Sequence, residues 1–325
     1  MKRDLRLDYI RVIGILLVIL AHTSLNNYVS NIRTFDVAML VCVAGASYTY
    51  SKPIHSCKDY ITYIKKRFIR LVVPVWFFLT FYFILTAFMK GEMVYSISTM
   101  TSTYLLINGI GYVWIFRIML MMALINPFLK MISDKIDDSF GKSLIVEFVL
   151  ILINELLVLV CLYIFKDSIV FKLIKMTICY FIGYGILSLM GMIFLKLSQK
   201  NLIKLIVVNG LFVIASIVMY GRFSPSDYKY PPMMQFISFG LFACFLFYII
   251  FSHIKIVNIK TNDCIIWLSK HSLNVYLCHI LVIFLLGYYG VEFFPLIHYI
   301  VVITLSIVLT YMYYFIKERL LHGKC

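Results

Sequence analysis

Long uninterrupted runs of apolar residues alternate with short polar, mostly basic segments along the whole chain. The runs are about 18–22 residues long, close to the length that an α-helix needs to cross a bilayer. A transmembrane β-barrel would instead show segments of about ten residues in which polar and apolar positions alternate. The pattern therefore predicts membrane-spanning helices. We place ten spans, at 9–25, 36–51, 71–89, 112–132, 144–165, 172–195, 202–220, 233–252, 272–290 and 297–316.

The composition agrees with this pattern. Hydrophobic residues make up 62% of the 325 positions and charged residues only 14%, and the mean hydropathy is +0.95. A soluble domain is about 45–50% apolar and about 25% charged, so a soluble enzyme, a disordered chain and a disulfide scaffold are all excluded. We predict an all-α fold, a polytopic transmembrane bundle of about ten spans that forms one domain over residues 1–325. The longest external loops, 90–111 and 221–232, have room for a short interfacial element.

The net charge of +15 is explained by membrane topology. With ten spans both termini lie on one side, and that side carries 21 of the 30 Lys and Arg residues, against seven on the other. Basic residues collect on the cytoplasmic side of membrane proteins. We therefore predict that both termini are cytoplasmic, in a multi-pass protein of a bacterial plasma (inner) membrane, and we expect no nucleic-acid partner.

The eight cysteines contain no CxxC pair, and none is in a segment that we place on the external side of the membrane. They are typical of small buried residues or reduced cytoplasmic thiols. We expect no structural disulfide and no metal site. The eight are Cys42, Cys57, Cys161, Cys179, Cys244, Cys264, Cys278 and Cys325.

The first span carries ionisable residues that are costly inside a membrane. Arg11 and His22 are eleven positions apart, which is about three helical turns, so both face the same side of one helix, roughly 16–17 Å apart. Asp8 lies one turn before Arg11 and is placed to pair with it. A shared face indicates one pore or groove that contains both. The alternatives are an arginine that extends to the interface and a histidine that is only a packing residue.

A basic cluster precedes the third span, at 65–70. Arg67 and Arg70 are one turn apart and present the geometry of a polyphosphate clamp. The alternative is an ordinary cytoplasmic cluster of basic residues, which sets the membrane topology and binds no ligand.

Several short motifs occur in order along the chain. They are Asp8 with Arg11 and His22; Phe35-Asp36-Val37 followed by Ala44-Gly45-Ala46-Ser47; Arg67 and Arg70 ahead of Pro74 and Trp76; Val113-Trp114-Ile115-Phe116 with Pro127; Tyr230-Pro231-Pro232; and Ser272, Tyr276 and His279. Together they resemble the acyltransferase 3 group of membrane acyltransferases, most closely its fucose 4-O-acetylase-like and polysaccharide O-acetyltransferase forms. The resemblance runs from residue 4 to about 315. Ala44 stands where the family usually has a serine.

The resemblance implies transfer of an acetyl group from cytoplasmic acetyl-CoA to a hydroxyl of a cell-surface or exported carbohydrate, either a glycan repeat unit or a lipid-linked sugar. It implies that acetyl-CoA binds at the three arginines named above. The Arg11–His22 separation is comparable with the length of a pantetheine arm, and imidazole suits proton transfer near neutral pH. The site residues are then His22 and Asp36 for catalysis, Arg11, Arg67 and Arg70 for acetyl-CoA, and Trp114, Tyr230, Tyr276 and His279 for the acceptor.

Some alternatives stay open at this stage. His22 acts either as a base or as a transient acetyl carrier. Asp36 either orients His22 or caps a helix, and His279 either contacts substrate or packs between helices. At the level of the whole protein, the alternatives are a transporter or flippase for a polysaccharide or small anion, and a non-catalytic export subunit. A transporter would not require the arginine clamp, and no inverted repeat is present in the sequence.

Overall fold

A computed structural model describes residues 3–23, 26–107, 109–164, 174–254 and 259–322. Within these ranges the chain is almost entirely helical, and the one β-bridge joins Lys229 to Pro232. A π-helical turn at Lys175–Cys179 leads into α8. The α-helices are α1 (Leu5–Leu20), α2 (Asn27–Arg33), α3 (Phe35–Tyr48), α4 (Cys57–Lys90), α5 (Ile97–Tyr104), α6 (Trp114–Ser133), α7 (Phe140–Ile164), α8 (Tyr180–Phe194), α9 (Gln199–Tyr220), α10 (Met234–His253), α11 (Ile259–Tyr288) and α12 (Pro295–His322).

Nine helical segments in the described ranges are long and apolar enough to cross a membrane. They coincide with the second to tenth predicted spans, so the predicted helical membrane bundle is confirmed. The first predicted span corresponds to α1, whose 16 residues are short for a full crossing. The predicted ends of spans at 25, 165 and 172 lie outside the described residues, as does Cys325.

Some helix boundaries differ from the predicted ones. Helix α4 begins at Cys57 instead of 71, because Ser56 and Asp59 form a capping box that starts the helix in the basic segment. Helix α11 likewise begins thirteen residues before its predicted span, at Ile259. In the loop at 90–111, which we predict to be external, α5 is a short helix of the kind for which that loop had room.

Helix α3 lies at the centre of the bundle and contacts α1, α6, α8 and α10. Its contact with α8 is close because a glycine lies on each side of it, Gly45 on α3 and Gly191 on α8. A Cβ atom added at Gly45 would lie 2.0 Å from the Ser188 carbonyl oxygen of α8, and one added at Gly191 would lie 2.0 Å from that of Cys42. Small residues allow such backbone contact between membrane helices.

The peripheral helices α4, α7, α9 and α12 expose many large apolar side chains, including Phe88, Tyr163, Val218 and Leu296. A soluble protein would bury such a surface, whereas in a bilayer it faces lipid tails. The polar chemistry is correspondingly confined to the interior and to the two ends of the bundle.

Candidate functional site

One end of the bundle opens into a cavity of about 560 Å³. This volume falls within the range of about 300–1,000 Å³ that small-molecule sites have. Residues of α1, α3, α4, α6, α11 and α12 line it, so helices from the whole length of the chain meet there. Its charged and polar lining comprises Arg11, Ser47, Tyr63, Arg67, Arg70, Asn126, Ser269, Lys270, His271, Ser272, Asn274, Tyr276 and Tyr314.

Arg11 is held in the cavity wall by hydroxyl groups from two other helices. Its guanidinium donates to Ser47 Oγ of α3 and to Ser269 Oγ of α11, each at 2.8 Å. The predicted pairing with Asp8 is confirmed, at 3.3 Å. Asp8 also bonds to Arg3 at 2.5 Å and accepts from Ser269 at 2.6 Å. One carboxylate therefore serves two guanidiniums, and the network keeps an excess of positive charge.

Arg67 and Arg70 reach the same cavity from α4, together with Lys270 from α11. Neither arginine forms an ion pair with a carboxylate in the described part of the chain, and Arg67 lies 5.2 Å from the centre of the Tyr63 ring. Arg70 and Lys270 also line an adjoining cavity of about 370 Å³, which includes Arg3. Arginines without carboxylate partners are available to bind an external anion. The structure thus brings together the three arginines that the sequence assigned to acetyl-CoA.

The histidines form a second group. His22 follows the end of α1, and its ring centre lies 4.8 Å from that of Tyr112 and 5.3 Å from that of His279. His279 is fully buried, and its Nδ1 bonds to the backbone carbonyl of Tyr276. Because a carbonyl only accepts, this Nδ1 carries the proton and Nε2 carries a lone pair. That Nε2 has no hydrogen-bond partner among the described residues.

Tyr276 connects the histidines to the cavity. It lines the cavity, its ring centre lies 4.7 Å from that of His279, and its hydroxyl donates to the Tyr112 carbonyl at 2.6 Å. His22 itself does not line the cavity in this conformation. Helix α1 ends at Leu20, two residues before His22, instead of continuing to 25 as predicted. The backbone N–H of His22 still bonds to the Ile19 carbonyl at 3.0 Å, so the chain continues to turn.

Asp36, predicted to orient His22, has other partners. Its carboxylate bonds to Arg33 at 2.5 Å, to Lys229 at 3.5 Å and to the Val37 N–H at 2.6 Å. Within the described residues it makes no hydrogen bond to His22. Asp36 is not the helix cap either, because the N-cap of α3 is Thr34 and Asp36 lies inside the first turn. Asp36 instead forms a buried ion cluster with Arg33 and Lys229.

Trp114 and Tyr230 lie beside that cluster. Their rings meet at a right angle with centres 5.0 Å apart, and Lys229 Nζ lies 4.8 Å and 5.6 Å from the two ring centres. The backbone carbonyl of Lys229 accepts a hydrogen bond from the Tyr184 hydroxyl at 3.4 Å, which fixes the position of this loop. The assigned acceptor residues therefore form two pairs, Trp114 with Tyr230 and Tyr276 with His279.

Several residues of these groups had no sequence signal. Ser269 is 258 positions from its partner Arg11, and Lys229 is 193 positions from Asp36. No sequence motif singles out either Ser269 or Lys229. Glu155, which carried no assigned role, accepts from the Tyr220 hydroxyl at 2.6 Å and from the Met234 N–H, and so joins α7, α9 and α10. Arg117 donates to the Ile107 carbonyl at 2.6 Å.

No group of three or more His, Cys, Asp or Glu side chains that could hold a metal ion occurs among the described residues. The free cysteines include Cys42, Cys161 and Cys244, which are buried, and Cys57 and Cys264, which are exposed.

Comparison with known protein families matches residues 4–315 to the family described as an acyltransferase domain, the acyltransferase-3 family. Comparisons with curated proteins and with solved structures give no match. The family match covers nearly the whole chain, and the helical spans suit a multi-pass membrane protein. The chain belongs to the acyltransferase-3 family and is a membrane acyltransferase.

Proposed function

We propose that the protein is an O-acetyltransferase of the fucose 4-O-acetylase-like, polysaccharide-modifying branch of this family. It moves an acetyl group from cytoplasmic acetyl-CoA to a hydroxyl of an exported or cell-surface carbohydrate, in a bacterial plasma membrane. The observation that carries the proposal is the arginine-lined cavity at one end of the bundle, whose wall includes Tyr276, a tyrosine in contact with His279, which in turn contacts His22.

The donor end is argued from charge. Arg11, Arg67, Arg70 and Lys270 line one cavity, and the only carboxylate bonded to any of them in the described residues is Asp8. Such a surplus of fixed cations favours a polyphosphate, because guanidiniums form paired charge-assisted bonds to phosphate oxygens. The hydroxyls of Ser47 and Ser269 orient Arg11 before any ligand arrives, which lowers the entropic cost of binding.

The transfer step is argued from the position of His22. An imidazole nitrogen of His22 takes the proton of the acceptor hydroxyl while that oxygen attacks the thioester carbonyl carbon of the donor. The carbon–sulfur bond then breaks, and the departing thiolate takes the proton from the imidazolium. His22 does not line the cavity, so the thioester must pass the cavity wall to reach it, and Tyr276 is a residue of that wall that contacts His279. The Tyr276 hydroxyl makes one hydrogen bond, to the Tyr112 carbonyl. Rotation of the Tyr276 ring would break this bond and open that route.

The donor assignment is tested with purified protein and radiolabelled acetyl-CoA. Arg67→Ala or Arg70→Ala should raise the KM for acetyl-CoA about tenfold or more, because a lost bond to a charged group is worth about 1.5–3 kcal/mol. The KM for the carbohydrate should change little. Lys66→Ala is the matched control, since Lys66 is exposed on the same helix and does not line either cavity. An unchanged acetyl-CoA KM in both arginine variants would refute the clamp.

The acceptor class is tested in the host. NMR spectra of the surface polysaccharide with and without the gene should differ in O-acetyl signals. A polysaccharide whose O-acetyl content does not depend on the gene would refute carbohydrate O-acetylation.

A further inference from the structure

The ion cluster at the start of α3 carries more positive than negative charge. Arg33 and Lys229 both bond to the single carboxylate of Asp36. Neither cation has another carboxylate partner in the described part of the chain. The nearest acid of the same loop, Asp227, pairs with Arg222 at 2.8 Å and is exposed, so it does not balance Lys229. The cluster therefore holds one uncompensated positive charge.

That surplus charge is buried. Lys229 is only 8% exposed, and the Arg33 side chain only 12%. Lys229 Nζ has one bond, a long one of 3.5 Å, and Arg33 Nε is buried without a partner among the described residues. Burying a cation without a counter-charge and without full hydrogen bonding is costly. Burial also lowers the pKa of the Lys229 ammonium. An anionic ligand bound between the two cations would remove this desolvation cost.

An aromatic surface adjoins the cations. Trp114 and Tyr230 stand at 87° to each other beside Lys229, and Tyr230 is 39% exposed, so the corner is open to a ligand. Aromatic faces present an apolar surface with a polar rim, which suits the C–H face of a sugar ring. Buried cations next to an open aromatic corner fit a sugar that carries an acidic group better than a neutral sugar.

The cluster is also on the histidine side of the protein. Arg11 of α1 bonds to Ser47 near the end of α3 that is remote from Asp36, and His22 lies eleven positions farther along the chain from Arg11. Asp36 and Ser47 lie near opposite ends of α3, eleven positions apart, which is about 16 Å along the helix axis. The cluster is therefore separate from the arginine cavity by about half a bilayer, and the reacting histidine lies nearer to the cluster.

We infer that the acceptor is an anionic carbohydrate, whose carboxylate or phosphate binds between Arg33 and Lys229 while its ring packs on Trp114 and Tyr230. This inference rests on the proposed function, because it names the substrate class of the same transferase. It assigns Asp36 a positioning role, in which the carboxylate holds the two cations apart and aligned. Arg33 and Lys229 become binding residues.

Binding is measured on the full-length protein in nanodiscs of uncharged lipid. The probes are an oligogalacturonate, the same oligosaccharide after carboxyl reduction, and a glycerol-phosphate oligomer. We expect the oligogalacturonate or the phosphate oligomer to bind at least about tenfold more tightly than the reduced sugar, as loss of a charged contact predicts. A preference for one acidic probe over the other identifies the anionic group.

Lys229→Met and Arg33→Gln each remove one positive charge and should each abolish most of this preference, while Lys229→Arg should retain it. Lys90→Met is the matched control, because Lys90 is an exposed lysine at the end of α4 on the same side of the bundle. This variant should leave the preference for acidic probes unchanged. Equal binding of acidic and reduced probes by the native protein overturns the inference. An acidic preference that survives both charge-removing variants overturns it as well.

Acetyl transfer from acetyl-CoA is measured on the same preparations. Selective binding of acidic probes without any transfer would uphold the anion site and contradict the proposed function. Transfer to the reduced sugar at the same KM as to the oligogalacturonate would uphold the function and contradict the anion site.

Discussion

His279 changes meaning once its surroundings are known. Sequence alone leaves it between a substrate contact and a residue that packs helices together. Its one hydrogen bond runs to the carbonyl of Tyr276, one turn earlier on its own helix, so it does not bond across helices. Its contacts with His22 and Tyr112 are ring contacts, and its Nε2 lone pair is unused among the described residues. His279 is therefore a positioned group near His22.

At the residue scale the sharpest prediction concerns His22. His22→Ala should reduce O-acetylation about 10²- to 10⁴-fold, the usual cost of losing a general base. The readout is radiolabelled acetyl transfer at matched membrane levels. His279→Ala serves as the comparison and should reduce the rate less, because His279 is fully enclosed and would act through His22.

The opposite ranking has a clear meaning. If His279→Ala removes all transfer while His22→Ala retains most of it, the base is His279 and its free Nε2 takes the proton. An acetylated protein trapped by rapid quenching, with the label on His22, would instead identify His22 as an acetyl carrier.

At the scale of elements, the contact of α3 with α8 depends on glycine. Gly45→Ala should lower the free energy of unfolding by about 1–3 kcal/mol, the cost of overpacking a well-packed contact. The added Cβ would meet backbone at 2.0 Å, so one helix must move. Gly287→Ala in α11 is the matched control, because no atom lies within 4 Å of its added Cβ. It should be neutral or stabilise by up to about 1 kcal/mol. Thermal unfolding in detergent measures both, and equal effects would contradict this account of the packing.

A loop carboxylate joins two further elements. Asp138, in the loop between α6 and α7, accepts from the backbone N–H of Ser198 at 2.7 Å and from Asn201 at 2.8 Å, at the start of α9. These bonds, that of Ser198 first, lower the pKa of Asp138. Because the folded-state pKa is lower than the unfolded one, the stabilisation is complete above the unfolded value of about 3.9 and is lost as the pH falls through the folded value.

Asp138→Ala should therefore lower the Tm in detergent at neutral pH, and the difference from the native protein should shrink as the pH falls into the acid range. Asp137→Ala is the control, since the neighbouring Asp137 side chain is exposed and makes no hydrogen bond in the described part of the chain. A pH-independent difference for Asp138→Ala would show that charge is not its source.

At the scale of the whole molecule, the orientation in the membrane is the open prediction. With α1 as the tenth crossing, the 21-to-7 excess of Lys and Arg predicts that both termini, Cys57 and Cys264 are in the cytoplasm. In intact cells an impermeant maleimide should not label Cys57, which is exposed at the start of α4, until the membrane is permeabilised. A cysteine introduced as Glu92→Cys at the other end of α4 should label from outside. Labelling of Cys57 in intact cells would reverse the orientation and put the arginine cavity outside.

The helical membrane bundle followed from the sequence alone. Apolar runs of this length permit only helices, because a lipid-exposed backbone must satisfy its own hydrogen bonds within the segment. The clustering of Arg67 and Arg70 also followed, since helix geometry relates residues one turn apart. The pairing of Asp8 with Arg11 is local in the same way, and it too is confirmed.

The tertiary structure decided which charged residues meet when they lie on helices that are distant in sequence. Asp36 bonds to Lys229 and not to His22, and Arg11 bonds to Ser269, although 193 and 258 positions separate these pairs. Hydrophobic periodicity shows which face of a helix is buried, but the partner of a buried charge depends on how helices pack and rotate against each other. Those packings arise from glycine contacts such as Gly45 with Ser188, which carry no charge and no motif of their own. The sequence thus determined the fold class and the local pairs, and only the packing around α3 determined which charges share a site.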